Sequence, residues 1–274
     1  MSVSSHPTSP RAEHGFTLIE LLVAMISALV VVGGLLAILE FSLRQETRIS
    51  DRTQANRIGR IALTKIVDEL RSSCTGFHTS AIQAPSTAPT SPLKSSGPAD
   101  LWFVSGYGNS TSGASSITNL TLHDINWTSS GTSNSGLTIG TLRDYSFAGT
   151  GTGTSLTFKP PFSTATATAT VLARNVIPPL VSGVATVFKY SRFDNTASHT
   201  TDGELVQLLP AELPLTTATA EEIAKVNIGF TQAPESGDTG ENRGGGRTAA
   251  IAGSVVLRFD PTETGAEVEN EPCT

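Results

Sequence analysis

The sequence predicts an α+β fold, a long N-terminal α-helix joined to a β-rich domain, and three observations carry that expectation. Leu21 to Leu39 is a run of 19 residues with no ionisable side chain, flanked by Glu20 and Glu40. From Phe16 to Arg71 there is no proline, and beyond the apolar run charged residues punctuate a helical pattern. The remaining residues hold short runs rich in β-branched and aromatic side chains, set between clusters of Gly, Ser, Thr, Asn and Pro.

The apolar run comes first. At about 1.5 Å per residue it measures roughly 28 Å as a helix, enough to cross the hydrocarbon core of a bilayer. A cleavable secretory signal has a shorter apolar stretch, about 7–15 residues, followed by a small-residue cut site. Here the helical pattern continues instead. Ile58, Ile61, Ala62, Leu63, Ile66, Val67 and Leu70 recur at the i, i+3, i+4, i+7 spacing of a half-buried helix. One helix over 16–71, roughly 80 Å long, therefore has a lipid-like first half and an amphipathic second half.

Strands are expected at Leu101–Ser105, Leu120–Trp127, Leu137–Ile139, Ser155–Lys159, Val184–Tyr190, Glu204–Leu209, Val226–Phe230 and Ser254–Phe259. Thr79–Pro98, with Pro85, Pro89, Pro92 and Pro98, reads as a loop leaving the helix. Thr164–Thr170 alternates Thr with Ala and fits either an edge strand or a flexible segment.

Composition narrows the function. The chain has 274 residues, 15% of them charged, with 18 basic against 24 acidic and a net charge of −6. That excludes a basic nucleic-acid binder, and so sparsely charged an exterior suits an exported protein. Residues 41–71 carry net charge +3 and residues 72–274 carry −7. A basic shaft and an acidic domain can attract one another in neighbouring copies, or both can be plain solvated faces.

The residues just before the apolar run are Gly15-Phe16-Thr17-Leu18-Ile19-Glu20. Here the sequence resembles the N terminus of type IV prepilins and type II secretion pseudopilins, in which a polar leader ends in Gly, the next residue is commonly Phe, and Glu is fifth after the cut. The resemblance covers Gly15 to about Leu39. It implies a pilin-like fold, cleavage between Gly15 and Phe16 by a membrane prepilin peptidase, methylation of the new Phe16 amine, and a filament-assembly role for Glu20. The implied organisation is a leader over 1–15, a membrane and filament-core helix over 16–40, an amphipathic helix over 41–72 packing on the head, and a head over 73–274. Implied partners are the peptidase, other major and minor pilins or pseudopilins and the inner-membrane assembly platform. The implied location is the bacterial inner membrane, single-pass with the head outside the cytoplasm, and then the filament.

The physical reading agrees with a special role for Glu20. A carboxylate at the centre of a spanning helix costs roughly 2.5–3.5 kcal/mol, less near an end, and intramembrane carboxylates usually have a partner. Glu20 lies about 6 Å from the Phe16 amine along the axis, so a staggered neighbour's amine can neutralise it. The simpler alternative is that Glu20 interacts with the positive end of its own helix.

Three features depart from the common pattern. Ala37 stands where many major pilins have a helix-bending proline, with Gly33-Gly34 nearby as a weak point or a close-packing surface. Only Arg11 precedes the span, whereas Arg44, Arg48, Arg52 and Arg57 follow it, so positive-inside counting puts the head in the cytoplasm, against the motif. The head is large for a major subunit. Leu172–Val176, Val187–Tyr190, Ile223–Ile228 and Val255–Arg258 resemble the J-type minor pseudopilins and W-type minor pilins. A minor subunit that initiates or tips the filament is the expected function, with a tip adhesin, a DNA-uptake subunit or a signal-anchored exported enzyme as alternatives.

No enzyme signature stands out. Gly131-Thr-Ser-Asn-Ser135 misses the nucleophile-elbow pattern at its fifth place, and Gly244-Gly-Gly246 lacks the Gly-Lys-Ser/Thr ending of a phosphate loop. No cofactor or nucleic-acid contact is expected. His6, His14, His78, His123 and His199 have no metal-ligand spacing, and Asp194, Asp202 and Glu204 border one loop as a weak calcium candidate lacking the EF-hand pattern. Cys74 and Cys273 are a candidate disulfide; it would close a loop of about 200 residues, worth on the order of 4–5 kcal/mol in the chain-entropy model. Asn109, Asn119 and Asn126 match a glycosylation pattern that chance supplies in so Thr-rich a stretch.

Overall fold

In a computed structural model the described residues are 17–75, 96–105, 121–133, 136–148, 167–193, 205–215, 219, 223–236 and 246–259. One helix, α1, runs Leu18–Arg71, within two residues of the expected start and ending at the expected residue. Contacts divide the chain into two units, Met1–Thr47 and Arg48–Thr274.

In the first unit the described residues are the start of α1, whose large apolar side chains from Leu18 to Leu43 are exposed. Ser27 and Thr47 return their hydroxyls to the carbonyls of Val23 (2.8 Å) and Leu43 (3.0 Å), so neither side chain interrupts the helix.

In the second unit α1 packs on a sheet. Its buried residues are Ala55, Gly59, Ala62, Ile66 and Leu70, steps of three and four that keep one stripe on one side. The helix stops at a serine pair. Ser72 Oγ donates to the carbonyl of Glu69 (2.7 Å) and Ser73 Oγ to that of Leu70 (2.5 Å), satisfying carbonyls the last turn leaves open.

The strands are β1 (Cys74–Thr75), β2 (Asp100–Ser105), β3 (Thr121–Thr132), β4 (Thr138–Ala148), β5 (Thr168–Ile177), β6 (Leu180–Val181), β7 (Val184–Ala185), β8 (Phe188–Phe193), β9 (Leu205–Gln207), β10 (Ile223–Gln232), β11 (Ala249–Val256) and β12 (Arg258–Phe259). Eight form one antiparallel sheet in the order β2-β3-β4-β5-β10-β8-β9, with β11 also on β10. Strand β10 organises it. One edge takes β8 along Ile223–Ile228 and β5 at Thr231–Gln232, and the other takes β11 from Lys225 to Gln232. Its side chains alternate: Val226, Ile228 and Phe230 are buried, Lys225, Asn227 and Thr231 are not. Strands β6 and β7 form a small hairpin whose turn residues Ser182 and Gly183 both have positive φ, 52° and 81°.

The α+β class is as the sequence predicts, and seven of the eight expected strands have counterparts; Ser155–Lys159 lies outside the described residues. Three boundaries moved for a common reason, pairing with a longer neighbour: β3 and β4 extend to match each other over eleven register pairs, and β11 starts at Ala249 to follow β10. The expected Val184–Tyr190 strand divides, because Thr186 turns its N–H to Pro179 (2.8 Å). Thr168–Thr170, the described end of the Thr-rich stretch, opens β5 and pairs with β4.

The core gathers α1 residues with Leu101, Phe103, Ile125, Leu142, Phe188, Tyr190, Val226, Ile228 and Phe230. Burial pushes the Tyr190 phenol well above its ordinary pKa, helped by the Asp100 charge, and its hydroxyl donates to the carbonyls of Gly97 (3.0 Å) or Asp100 (2.9 Å). That bond pins the chain entering β2 against β8.

Candidate functional site

The first candidate is the start of α1. Thr17 is its N-cap: the Thr17 carbonyl accepts the N–H groups of Glu20 (3.1 Å) and Leu21 (3.2 Å), and Thr17 Oγ1 also accepts from Glu20 (3.3 Å). Glu20 is therefore the third helical residue, in the first turn, and the only acidic residue there. Beyond it follows the uncharged run. Among the described residues this is the one helix long and apolar enough to cross a membrane, and none of its apolar window is buried.

The apolar surface breaks at Gly33-Gly34, where an added Cβ would meet nothing within 4 Å. Packing among the described residues does not require these glycines. At the far end of the run Glu40 pairs with Arg44 one turn on, both exposed.

The second candidate lies in the Arg48–Thr274 unit, where α1 meets the sheet. Lys65 Nζ is 3.6 Å from Asp144 Oδ2, and Asp144 Oδ1 is 2.9 Å from His123 Nδ1. A carboxylate only accepts, so that imidazole nitrogen carries the proton. His123 Nε2 faces Glu69 Oε2 at 3.7 Å, beyond hydrogen-bond range, while Ser105 Oγ donates to the same oxygen (3.2 Å). The imidazole stacks on Phe103, centroids 5.0 Å apart. One turn-spaced pair on the helix, Lys65 and Glu69, is thus fastened to three neighbouring strands. Near the other end of this stretch Arg247 holds Asp51 at 3.1 Å. Asp144 and His123 are buried, whereas Lys65, Glu69, Asp51 and Arg247 are half-buried, so these contacts tie the helix to the sheet from its rim.

This network is absent from the sequence reading, since its members come from residues 65 to 144 and only strand pairing unites them. Thr17 was also missed, although Thr17-Leu-Ile-Glu20 has the Ser/Thr-x-x-Glu form of a capping box.

Of the residues predicted from sequence, Glu20 is in the described helix, and the Cys74 backbone is in β1, paired with Arg258 of β12. Gly15, Phe16, Cys273, Asp194, Asp202 and Glu204 lie outside the described residues. Among the described residues no three His, Cys, Asp or Glu side chains could hold a metal. Trp102 and Phe103 are 2% and 0% exposed, so they supply no aromatic surface patch. Asn126 is also buried and its amide donates to Asp100, which removes it as a glycosylation acceptor. Gly131 and Thr132 end β3 in a hairpin with β4, not the strand-to-helix turn a nucleophile elbow requires.

Residues 10–38 match the family model described as the prokaryotic N-terminal methylation motif, the prepilin-type cleavage and methylation signal. No curated protein and no solved structure matches the chain. The match supports a type IV pilin- or pseudopilin-like precursor and points towards a structural subunit, and the motif implies processing by prepilin peptidase and assembly with other pilins.

Proposed function

We propose that the chain is a minor pilin or pseudopilin, cut between Gly15 and Phe16 and methylated on Phe16, that initiates or tips a type IV pilus or type II secretion pseudopilus with its head outside the cytoplasm. The observation that carries this reading is a cleavage motif set directly before an exposed apolar helix whose first turn holds a single carboxylate. Assembly replaces lipid around that helix with neighbouring helices. Between apolar helices in a bilayer, close packing and polar pairs drive association, and Gly33-Gly34 and Glu20 supply one of each. Glu20 takes the Phe16 amine of an adjoining subunit and so sets the stagger.

The size of the head supports a minor role. Among the described residues it holds a sheet of eight strands, with further chain between them. The candidate Cys74–Cys273 bond would close the acidic tail onto the helix end, where β12 already returns to β1. Quantitative mass spectrometry of sheared filaments, with filament counts in a deletion strain, tests the role. The expected result is a few copies per filament, and a filament number that falls on deletion and recovers on re-expression. A chain forming the bulk of filament mass, or a deletion that leaves filament number unchanged, would overturn it.

A further inference from the structure

We propose that the free edge of β11 is a docking surface for an extended acidic segment of a neighbouring pilin subunit, which adds to the sheet as a further strand. The site is separate from the helix start, and only the choice of a pilin as occupant rests on the assembly reading above.

Strand β11 pairs with β10 from Ala249 to Val256 without a register shift, and among the described residues no strand pairs along its other side. Antiparallel pairing with one neighbour leaves alternate N–H and C=O groups pointing outward, a row that another extended chain can bond. Folded proteins ordinarily blunt such an edge with a charge, a proline, a bulge or shortness. The run Ala-Ala-Ile-Ala-Gly-Ser-Val-Val has neither charge nor proline, and its eight residues hold one register throughout. The other edges differ: β9 is three residues long, and β2 opens on the charged Asp100.

The face beside the edge selects what the added strand carries. Ile251 and Gly253 lie against Gly59 and Leu63 of α1, so Ala250, Ala252, Ser254 and Val256, all exposed, belong to the side of the sheet away from the helix. Inward from them is an open groove of about 420 Å³ lined by Ala252, Ser254, Asn227, Gly229, Thr186 and Lys189. Gly229 is the register partner of Ala252, and a Cβ there would meet nothing within 4 Å, so small residues leave the way across the sheet open.

Two cations face that way. Lys225 is the register partner of Val256, and Lys189 stands across Asn227 from Ser254. Both are half-buried, and neither has a hydrogen-bond or ion-pair partner among the described residues, whereas Lys65, Arg192 and Arg247 each face a carboxylate. On a domain with 10 basic against 17 acidic residues over 72–274, two uncompensated lysines beside a bare edge favour an acidic partner. Strands lie about 4.8 Å apart, so an added strand sits about 10 Å from Lys225, a gap that a glutamate and a lysine side chain close together. Main-chain bonds supply the affinity of such a complex, and the charges supply its choice.

The test uses the full-length chain in detergent and an end-blocked synthetic octapeptide alternating Val and Glu. Its controls are the Val/Lys counterpart and the acidic peptide with methylated backbone amides, which keeps the charge and removes the donors. The acidic peptide is expected to bind at least about ten-fold more tightly than either control. The Lys189→Glu, Lys225→Glu double variant should reverse the preference between the two charged peptides. Gly229→Val, which fits the fold and fills the groove, should weaken the acidic peptide about ten-fold while leaving the melting temperature unchanged. In filaments, a photo-crosslinking residue in place of Ala252 should join an acidic extended segment of another pilin.

Equal binding of the peptides by wild type, binding that survives amide methylation, or a preference unmoved by charge reversal would overturn the proposal. A crosslink to a second copy of this chain, to lipid or to nothing would do the same. A chain that meets every expectation yet makes up the bulk of filament mass would keep this inference and overturn the minor role, and failure of the peptide arm in a chain present at a few copies per filament would do the reverse.

Discussion

Glu20→Ala is expected to leave cleavage after Gly15 and methylation of Phe16 intact while cutting incorporation into filaments at least ten-fold, a loss of about 1.4 kcal/mol or more in pairing energy. The substitution makes the helix better suited to lipid, since a carboxylate near the membrane is itself costly. Membrane insertion therefore does not suffer. What disappears is the charged group that favours one height beside a neighbour, because the Leu21–Leu39 run that follows holds no ionisable side chain. Copies per filament, measured beside the mature N-terminal mass, separate the two steps. Wild-type incorporation of Glu20→Ala would remove its proposed role.

The second large effect is expected at Gly59, on the other half of the same helix. A Cβ there would approach Ile251 Cγ1 to 2.5 Å and Cδ1 to 2.8 Å, with Gln232 Cβ at 3.2 Å. Ile251 is 4% exposed and cannot simply swing aside. Gly59→Val must push α1 off β10 and β11 or force Ile251 into a poor rotamer, costing about 2 kcal/mol and lowering the melting temperature of the detergent-solubilised chain by about 4–8 °C. Gly33→Val is the control, because a Cβ there meets nothing within 4 Å among the described residues and should leave that transition unmoved. Equal melting of the two variants would show that the close approach at Gly59 is not needed.

These two glycines show what the sequence could and could not disclose. The helix was legible because 19 uncharged residues followed by a three-four stripe admit few other structures. Gly59 was legible in principle, since it falls on that stripe between Ala55 and Ala62, where a missing side chain marks close contact. The strands were found where β-branched residues cluster, but their order was not, because β10 joins β5 and β8 along one edge and no local pattern encodes that choice. The network of Lys65, Glu69, His123 and Asp144 was hidden for the same reason. At the helix start, Glu20 is recognisable from its distance to Gly15, and the Thr17-x-x-Glu20 spacing is the local signal of the N-cap that the Thr17 hydroxyl forms on the Glu20 amide.

All of this depends on the chain beginning, in its mature form, with a free amine beside the apolar helix. Mass spectrometry of the N-terminal peptide from membranes and from sheared filaments measures that directly. The account predicts a mature chain that starts at N-methylated Phe16 in both fractions. A chain that retains Met1 through Gly15 in the filament fraction, or one whose first residue lies beyond Leu39, would contradict it.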